Sequence, residues 1–344
     1  MKTPSPSRVA TPPTTSDWET QATKSDLVSI GAHGLFFSIS GPLRQHPHDP
    51  IVIVFAGAGD STASYIVVER LVSHFARILL YDRSGLGKSE PSPDPSHTSA
   101  EIAARELSTA LETANIRPPY TLLAHSYGAI VAREFLHLHE GDSTSAATAG
   151  VAVIAGMILA EAATERQSQF FKLPEPNITA VMGDLNFARV TGLRDDAQLT
   201  RDEWRARAME WAGGAVAAQA EADAFIEVCE GLAAKKQFER CAMGDRPVNI
   251  IRCNSARDFE RIYEKGVEVG NGTEAQRRAF RELLMSWDDV DRKLKEEQCR
   301  LSTNCHLVHV PDCGHHVHLV RPDVVADEVK WVINSVREQA RSSL

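Results

Sequence analysis

The pattern of apolar residues changes its period regularly along the first half of the chain. Short runs in which almost every residue is apolar are typical of strands buried on both faces of a sheet. Stretches with apolar residues at helical spacing lie between these runs. This alternation predicts an α/β fold: a mainly parallel central sheet with helices on both faces. The apolar runs are PIVIVFAG from residue 50, ARILLYD from 76, PYTLLAHS from 119, GVAVIAGMILA from 150 and PVNIIRC from 247.

The alternation stops after the fourth run, and this change predicts the organisation of the chain. Residues 1–24 are rich in Pro, Ser and Thr, which is typical of a disordered or strap-like arm. Residues 25–161 are predicted to form the first part of a core domain, and residues 247–344 the second part. Residues 162–246, here named the cap segment, are predicted to form a helical cap. A helical insert is predicted within the second part, at residues 259–301.

Three short motifs predict where helices begin. In a capping box, a Ser or Thr before the helix and a Glu or Gln three residues later each accept a hydrogen bond from an otherwise free backbone N–H. One such pair lies in the core, one in the cap segment and one in the insert. These pairs are Thr98 with Glu101, Thr200 with Glu203, and Thr273 with Gln276.

Composition limits the kinds of partner that the chain is expected to bind. Its 344 residues can bury a full core, and a net charge of −9 argues against binding to nucleic acid or to an anionic membrane surface. The sequence has no apolar run of membrane-spanning length and no apolar leader, so we expect no membrane insertion and a cytoplasmic location. The six cysteines form no C-x-x-C pair, and we expect them to be free thiols.

One serine stands where a buried strand is predicted to meet a helix. Ser126 lies in AHSYG, with Ala124 two residues before it and Gly128 two residues after it. A nucleophile on a sharp strand-to-helix turn needs small residues at these positions, because the turn brings the two backbones close together. An ordinary serine between small residues is the alternative. The strand before Ser126 and the helix after it favour the nucleophile.

A nucleophilic serine needs a base that can take its proton. A histidine on the loop after the last strand is the expected base, and that loop offers His315, His316 and His318. A surface loop is one alternative. A metal cluster that includes Asp312 and Cys313 is another, although such a cluster would want more acidic or Cys ligands nearby.

The nucleophile also needs backbone donors for an oxyanion. The segment FAGAGDS, residues 55–61, is here named the glycine loop, and its glycines allow backbone N–H groups to face inward. We expect one donor from this loop and a second from the N–H of Tyr127. A phosphate cradle is the alternative, but the loop lacks both the G-x-x-x-x-G-K spacing and the G-x-G-x-x-G spacing of nucleotide-binding loops.

Four motifs occur in order along the chain: FAGAG from residue 55, YDRSGLGKSE from 81, AHSYG from 124 and GHHVHLVRPDVVADEV from 314. By these motifs and their order, the chain resembles the α/β-hydrolase-fold superfamily, of the serine hydrolase type with a helical cap. The resemblance covers about residues 50–336. The resemblance implies Ser126 as nucleophile, His315 as base, and the N–H groups of Tyr127 and Ala58 as the oxyanion hole. Family members often have His-Gly where this chain has Ala56-Gly57.

The resemblance leaves two candidates for the acid that orients the base. In the family, the acid follows either the strand after the nucleophile helix or the next core strand. The later strand has Ala256 where the usual spacing places an Asp, and Asp258 comes two residues late. The earlier strand ends at Glu161, where one branch of the family has its acid. Glu161 is favoured and Asp258 is the alternative. The same resemblance implies that Arg83 hydrogen-bonds loop carbonyls rather than substrate.

These residues predict a cofactor-independent serine hydrolase. The expected substrate is an ester, thioester, lactone or related small apolar carbonyl compound, cleaved through an acyl-enzyme. The expected partner is therefore a small molecule, with neither cofactor nor metal. A non-hydrolytic enzyme of the same fold (a lyase, acyltransferase, cyclase or C–C bond-cleaving enzyme) is the first alternative, since fold does not determine reaction. A ligand receptor without turnover is the second. The sequence indicates neither the individual substrate nor the oligomeric state.

Overall fold

The structure is a computed structural model that describes residues 16–46, 48–95, 98–140, 152–172 and 174–342. Within these ranges, the strands are β1 Lys24–Ser29, β2 Gly34–Ser40, β3 Ile51–Phe55, β4 Arg77–Tyr81, β5 Tyr120–His125, β6 Ile154–Ala160, β7 Val248–Cys253 and β8 Cys305–Val310. They form one sheet in the order β1-β2-β4-β3-β5-β6-β7-β8. The β1–β2 and β2–β4 pairs are antiparallel and the other pairs are parallel, which confirms the mainly parallel sheet.

Helices cover both faces of the sheet, as the alternating pattern predicts. Every residue of β3, β4, β5 and β7 is buried, because one apolar core lies on each face. The described helices are α1 Asp17–Thr20, α2 Ile66–Val72, α3 Ala100–Thr113, α4 Gly128–Leu138, α5 Gln167–Phe170, α6 Pro176–Met182, α7 Phe187–Val190, α8 Leu193–Asp196, α9 Arg201–Gly213, α10 Ala215–Asp223, α11 Phe225–Ala234, α12 Ala256–Glu268, α13 Glu274–Gln298, α14 Val317–Val320 and α15 Pro322–Ser342. None of these described helices combines the length and the apolar character needed to cross a membrane.

The described part of the predicted N-terminal arm packs on the core. Residues 1–15 lie outside the described residues. Ser16 caps α1 and donates its hydroxyl to Ala114 O at 2.5 Å. Trp18 of α1 is buried with its ring centroid 5.9 Å from that of Phe37 on β2. This segment therefore lies as a strap against the sheet.

Two helical stretches are inserted between strands of the sheet. The cap segment runs from β6 to β7 and contains α5 to α11. The second insert contains α12 and α13, which begin and end a few residues earlier than the predicted 259–301. The 25-residue α13 buries two charged side chains, Asp291 and Lys295, against the core. One face of the predicted helical insert is thus part of the interior.

Two of the three predicted capping boxes are confirmed. Thr200 and Thr273 each form the complete reciprocal pair of hydrogen bonds. The prediction for Thr98 is wrong by one residue: Ser99 is the N-cap of α3 and accepts a hydrogen bond from Ile102 N–H at 3.2 Å. Ser is on average a better N-cap than Thr, and the helix-forming Ala100 follows Ser99 directly.

The expectation that all six cysteines are free is wrong. Cys299 and Cys305 form a disulfide, with Cα atoms 5.4 Å apart, a separation at which a disulfide fits. The short 3₁₀ turn Cys299–Leu301 folds the chain back into β8 and so brings the two residues together. Cys229, Cys241, Cys253 and Cys313 are free thiols.

Candidate active site

Ser126 lies on a sharp turn between β5 and α4. Its φ angle is 51°, in the left-handed region that residues with a side chain rarely adopt. The turn requires small neighbours, because a Cβ atom on Gly128 would lie 2.2 Å from Phe55 O at the end of β3. Ala124 is fully buried, so a methyl group fits at the first small position. This strained strand-to-helix geometry is that of a nucleophile elbow.

His315 joins Ser126 to Glu161. Ser126 Oγ lies 3.1 Å from His315 Nε2, and His315 Nδ1 lies 3.3 Å from Glu161 Oε2. The imidazole is 32 % exposed while the Glu161 side chain is 1 % exposed, so the ring faces the open side of the site and the carboxylate lies beneath it. Glu161 follows β6 directly and also has a positive φ, 46°. The two residues with positive φ, Ser126 and Glu161, follow the carboxyl ends of the neighbouring strands β5 and β6.

Asp258 contacts the main chain of His315 rather than its ring. Its Oδ2 accepts a hydrogen bond from His315 N–H at 3.1 Å. A Cβ atom on Gly314 would lie 2.1 Å from the same oxygen, so the Gly-His sequence lets the loop settle on Asp258. Burial raises the pKa of Asp258 above its ordinary value. Of the two candidate acids, Glu161 is the one in contact with the imidazole, and Asp258 fixes the loop that carries it.

A buried lysine lies behind Glu161. Glu161 Oε1 accepts a hydrogen bond from Cys253 N–H at 2.6 Å, which leaves Oε2 for His315. Lys295 on α13 donates to Ala162 O at 3.0 Å and pairs with Asp291 at 3.2 Å. Burial alone would raise the pKa of Glu161, but the ammonium of Lys295 and the contact with His315 outweigh it and lower that pKa. The carboxylate is therefore held in its charged form.

Sequence reasoning missed Lys295, and one signal for it was present. Asp291 and Lys295 are four residues apart on a helix, a spacing usually read as an exposed ion pair. Both side chains are at most 8 % exposed. The amphipathic pattern of α13 places them on its buried face, next to Leu294, and that pattern could have indicated an interior pair.

The glycine loop lies against Ser126. A Cβ atom on Gly57 would be 3.5 Å from Ser126 Cβ, an ordinary van der Waals distance, and 3.1 Å from His125 Nδ1, which is tighter than most Cβ contacts. Arg83 donates to the carbonyls of Ala56 and Gly57, both at 2.7 Å, as predicted for this residue. Among the described residues, the N–H groups of Ala58 and Tyr127 have no hydrogen-bond acceptor within the protein. One of these two free donors directly follows Ser126 in the sequence, and the other is on the glycine loop.

A chain of hydrogen bonds connects the glycine loop to the loop of His315. Gly57 N–H donates to Tyr65 Oη at 3.1 Å, Tyr65 Oη lies 3.1 Å from His125 Nδ1, and His125 Nε2 lies 2.9 Å from His315 O. Because a carbonyl only accepts, His125 carries its proton on Nε2 and accepts the hydroxyl proton of Tyr65 on Nδ1. Burial lowers the pKa of His125 well below its ordinary value, which keeps this ring neutral.

The histidines that follow His315 pack among aromatic side chains. His318 stacks on Tyr65 with ring centroids 4.5 Å apart, and His316 lies with its ring 6.0 Å from Phe187 of the cap segment. Burial lowers the pKa of both histidines, so both are neutral. Among the residues that the structure describes, no three His, Cys, Asp or Glu side chains are grouped so that they could hold a metal ion. Asp312, Cys313 and the histidines of this loop are among the residues searched.

Two curated proteins are similar to this chain over most of its length. A "Probable transporter efuK" of Hormonema carpetanum is 32% identical over 321 residues, which cover 92% of this chain and 44% of that protein. The chain therefore spans less than half the length of this relative. An "AB hydrolase superfamily protein" of Gibberella zeae is 29% identical over 333 residues, which cover 93% of this chain and 99% of that protein.

A solved structure and a family profile also match this chain. The structure of a serine hydrolase involved in carbazole degradation, the CarC enzyme, has a TM-score of 0.57 and 11% identity, and covers 91% of this chain and 99% of its own. At that identity the likeness concerns the fold alone. The profile of the Alpha/beta hydrolase family matches residues 51–328, which include every residue of the site described above. The chain belongs to the Alpha/beta hydrolase family.

Proposed function

We propose that this protein is a cofactor-independent serine hydrolase that cleaves an ester, thioester, lactone or related small carbonyl compound through an acyl-enzyme. One observation carries the proposal: Ser126 Oγ lies 3.1 Å from His315 Nε2 while His315 Nδ1 lies 3.3 Å from a buried carboxylate. Distances of this size let a hydroxyl, an imidazole and an acid act as a unit.

In the proposed acylation step, Ser126 Oγ attacks the substrate carbonyl carbon and its proton passes to His315 Nε2. Glu161 accepts a hydrogen bond from His315 Nδ1–H, which leaves Nε2 free to take that proton. The carbonyl oxygen becomes an oxyanion, and the N–H groups of Tyr127 and Ala58 stabilise it. When the carbon–heteroatom bond breaks, His315 returns the proton to the leaving alcohol or thiol.

In the proposed deacylation step, water replaces the leaving group. His315 takes a proton from the water as its oxygen attacks the acyl carbon, and the same oxyanion donors are used again. Ser126 Oγ then leaves with the proton held by His315, and the carboxylic acid product is released. Each of these steps uses groups of the protein and water only.

The test is turnover of activated esters by the full chain. We expect hydrolysis of a p-nitrophenyl ester or thioester series, and labelling of Ser126 by a fluorophosphonate located by peptide mass spectrometry. Ser126→Ala should lower kcat by about 10⁴-fold or more. Ser335→Ala, on the outer helix α15, is the matched control and should leave kcat unchanged. Unchanged turnover in Ser126→Ala, or a fluorophosphonate that labels other residues only, would contradict the proposal.

Labelled water separates hydrolysis from acyl transfer, elimination and cyclisation. Hydrolysis places one oxygen atom of H₂¹⁸O in the acid product, whereas acyl transfer, elimination and cyclisation do not. We expect ¹⁸O in the product of the wild-type chain. Turnover without incorporation would favour a non-hydrolytic reaction at the same serine, and tight ligand binding without turnover would favour a receptor.

A further inference from the structure

A buried carboxylate joins the cap segment to the glycine loop. Glu221 is 4% exposed, and no other residue of α10, all of which the structure describes, is buried. Burying a charge is costly unless the charge is paired and hydrogen-bonded. Glu221 Oε2 accepts a hydrogen bond from Gly59 N–H at 2.8 Å, and Arg83 donates Nε–H to Oε1 at 2.5 Å and Nη2–H to Oε2 at 3.0 Å.

Arg83 transmits this contact to the peptide that carries the proposed oxyanion donor. Its Nη1 donates to Ala56 O and its Nη2 to Gly57 O, both at 2.7 Å. The Gly57 carbonyl and the Ala58 N–H belong to one planar trans peptide and point in opposite directions. Arg83 therefore sets the direction of the Ala58 N–H by holding the carbonyl on its other side. The guanidinium also lies 5.5 Å from the ring of Tyr127.

The cap helix lies directly on the loop that this arginine holds. A Cβ atom on Gly59, which has φ 62°, would lie 2.7 Å from Ala218 Cβ on α10. The contact between α10 and the loop thus depends on a residue without a side chain. Burial alone would lower the pKa of Arg83, but Glu221 outweighs it and raises that pKa, so the guanidinium stays charged in the interior.

We propose that Glu221 is a positioning residue for the oxyanion hole: through Arg83 and Gly59 N–H it holds the Gly57–Ala58 peptide in its working orientation only while α10 is seated on the glycine loop. We name this arrangement the Arg83–Glu221 clamp. The proposal rests on the proposed function, because it assumes that the Ala58 N–H binds an oxyanion formed at Ser126. It makes the seating of α10 on the glycine loop a condition for the chemical step.

Glu221→Gln is the sharpest variant, because the amide keeps an acceptor oxygen and nearly the same shape but loses the charge opposite Arg83. With a p-nitrophenyl ester as substrate, we expect kcat to fall about 10- to 100-fold, less than the loss of a whole oxyanion donor, and KM to change less than threefold. Glu203→Gln is the matched control: Glu203 is also a cap carboxylate paired with a core arginine, Arg70, but that arginine is half-exposed. This control should keep wild-type kcat.

A transition-state analogue separates positioning from simple stabilisation of the fold. A trifluoromethyl ketone adds to Ser126 and presents an alkoxide to the oxyanion hole, so its Kd reports on the donors. In Glu221→Gln we expect this Kd to rise by the same factor as kcat/KM falls, with KM for the ester little changed. A wild-type ratio of ketone Kd to ester KM, or an unchanged kcat at a temperature where the variant is folded, would overturn the proposal.

Hydrogen exchange tests the clamp without any activity. In Glu221→Ala the Gly59 N–H loses its acceptor, and we expect faster exchange in the peptide that covers residues 56–60 than in the wild type or in Glu203→Gln. If exchange increases but the wild-type chain neither turns over esters nor reacts with fluorophosphonate, the proposed function fails while the clamp stands. If exchange in this peptide is unchanged, the clamp fails whatever the activity.

Discussion

The helices that lie on the two sides of the candidate site are built in opposite ways. On the cap side, α9 has no buried residue and α10 has only Glu221, and both are fully described. The hydrogen bonds of α9 to the core come from charged side chains, among them Arg207 to Ser64 at 2.8 Å and Glu210 from Ser61 at 2.7 Å. On the acid side, α13 buries a mixed set of residues: Phe280, Trp287, Asp291, Leu294, Lys295 and Gln298.

The two sides therefore differ in what attaches their helices to the core: charged and hydrogen-bonded contacts for α9 and α10, and a buried face for α13. A helix joined to the core mainly by ion pairs and hydrogen bonds can leave with its partners rehydrated, whereas a helix with a buried apolar face cannot leave without exposing that face. We therefore expect the cap side to open under native conditions and the acid side to open only with global unfolding. The proposed triad acid is on the side that we expect to stay folded, and the clamp on the glycine loop is on the side that we expect to open.

The largest expected effect concerns the acid side. Glu161→Gln keeps the shape but removes the charge that the imidazole needs, and the same replacement in a Ser-His-acid site costs about 10⁴ in kcat. Asp258→Asn is the matched control, because Asn keeps an acceptor for His315 N–H, and its kcat should fall less than about tenfold. Steady-state kinetics on an activated ester measure both. A larger loss in Asp258→Asn than in Glu161→Gln would reverse the assignment of the acid.

Much of this site follows from local sequence. Ser126 is identified by its small neighbours and by the strand and helix that flank it, all of which lie within a few residues. His315 follows a glycine after the last strand. Glu161 is favoured by its place after β6, and in the structure it lies against the ring of His315. The features of Ser126 are local, whereas the choice of His315 among three histidines and of Glu161 over Asp258 rests on what the family resemblance implies.

Residues that act through distant partners were not found in this way. Glu221 lies on a helix whose other residues are not buried, so no apolar pattern marks it as an interior residue. Its partner Arg83 is 138 positions away, and helical spacing carries no information about such a contact. Cys299 and Cys305 were missed because a separation of six residues matches no metal or redox motif. Long-range charge pairing depends on how the inserted helices fold over the sheet.

The next largest effect is on the free energy of unfolding, and it tests whether α13 stays packed on the core until the protein unfolds. Lys295→Met removes one member of a buried ion pair and leaves Asp291 with Arg252, 3.2 Å away, as its remaining cation. Removing one partner of a buried pair costs about 3–5 kcal/mol in the free energy of unfolding. Lys293→Met is the control, since Lys293 lies two residues away on the exposed face of α13. Urea unfolding measures both, and equal losses in the two variants would contradict an interior role for Lys295.

A smaller effect, which depends on pH, concerns Asp60 of the glycine loop, which faces α9 of the cap segment. Burial alone would raise the pKa of Asp60, but His318, Arg207 of α9 and Ser64 outweigh it and lower that pKa from 3.8 to about 2. A folded-state pKa below the unfolded one stabilises the fold above the unfolded value, and this contribution is lost as pH falls through the folded value. The shift corresponds to about 2 kcal/mol at neutral pH.

Asp60→Asn should therefore be less stable than the wild type by about that amount near pH 6, and the gap should shrink by about half near pH 3. Urea unfolding at a series of pH values measures this gap. The direction matters more than its size, because a carboxyl whose folded-state pKa is raised would give a gap of the opposite sign. A gap that is independent of pH would mean that Asp60 contributes by packing and not by its charge.

The smallest expected effect compares the two helices through the same kind of cap. Thr200 and Thr273 each form a complete capping box, and Thr→Ala at an N-cap costs about 1 kcal/mol of helix stability. In Thr273→Ala we expect that loss in the global free energy of unfolding, because α13 unfolds only with the core it packs against. In Thr200→Ala we expect little change in global unfolding but faster hydrogen exchange within α9, because a helix without buried residues opens by itself. If both variants lose the same global stability, α9 is coupled to the core as tightly as α13. The charged contacts of α9 would then attach a helix to the core as strongly as the buried face of α13 does.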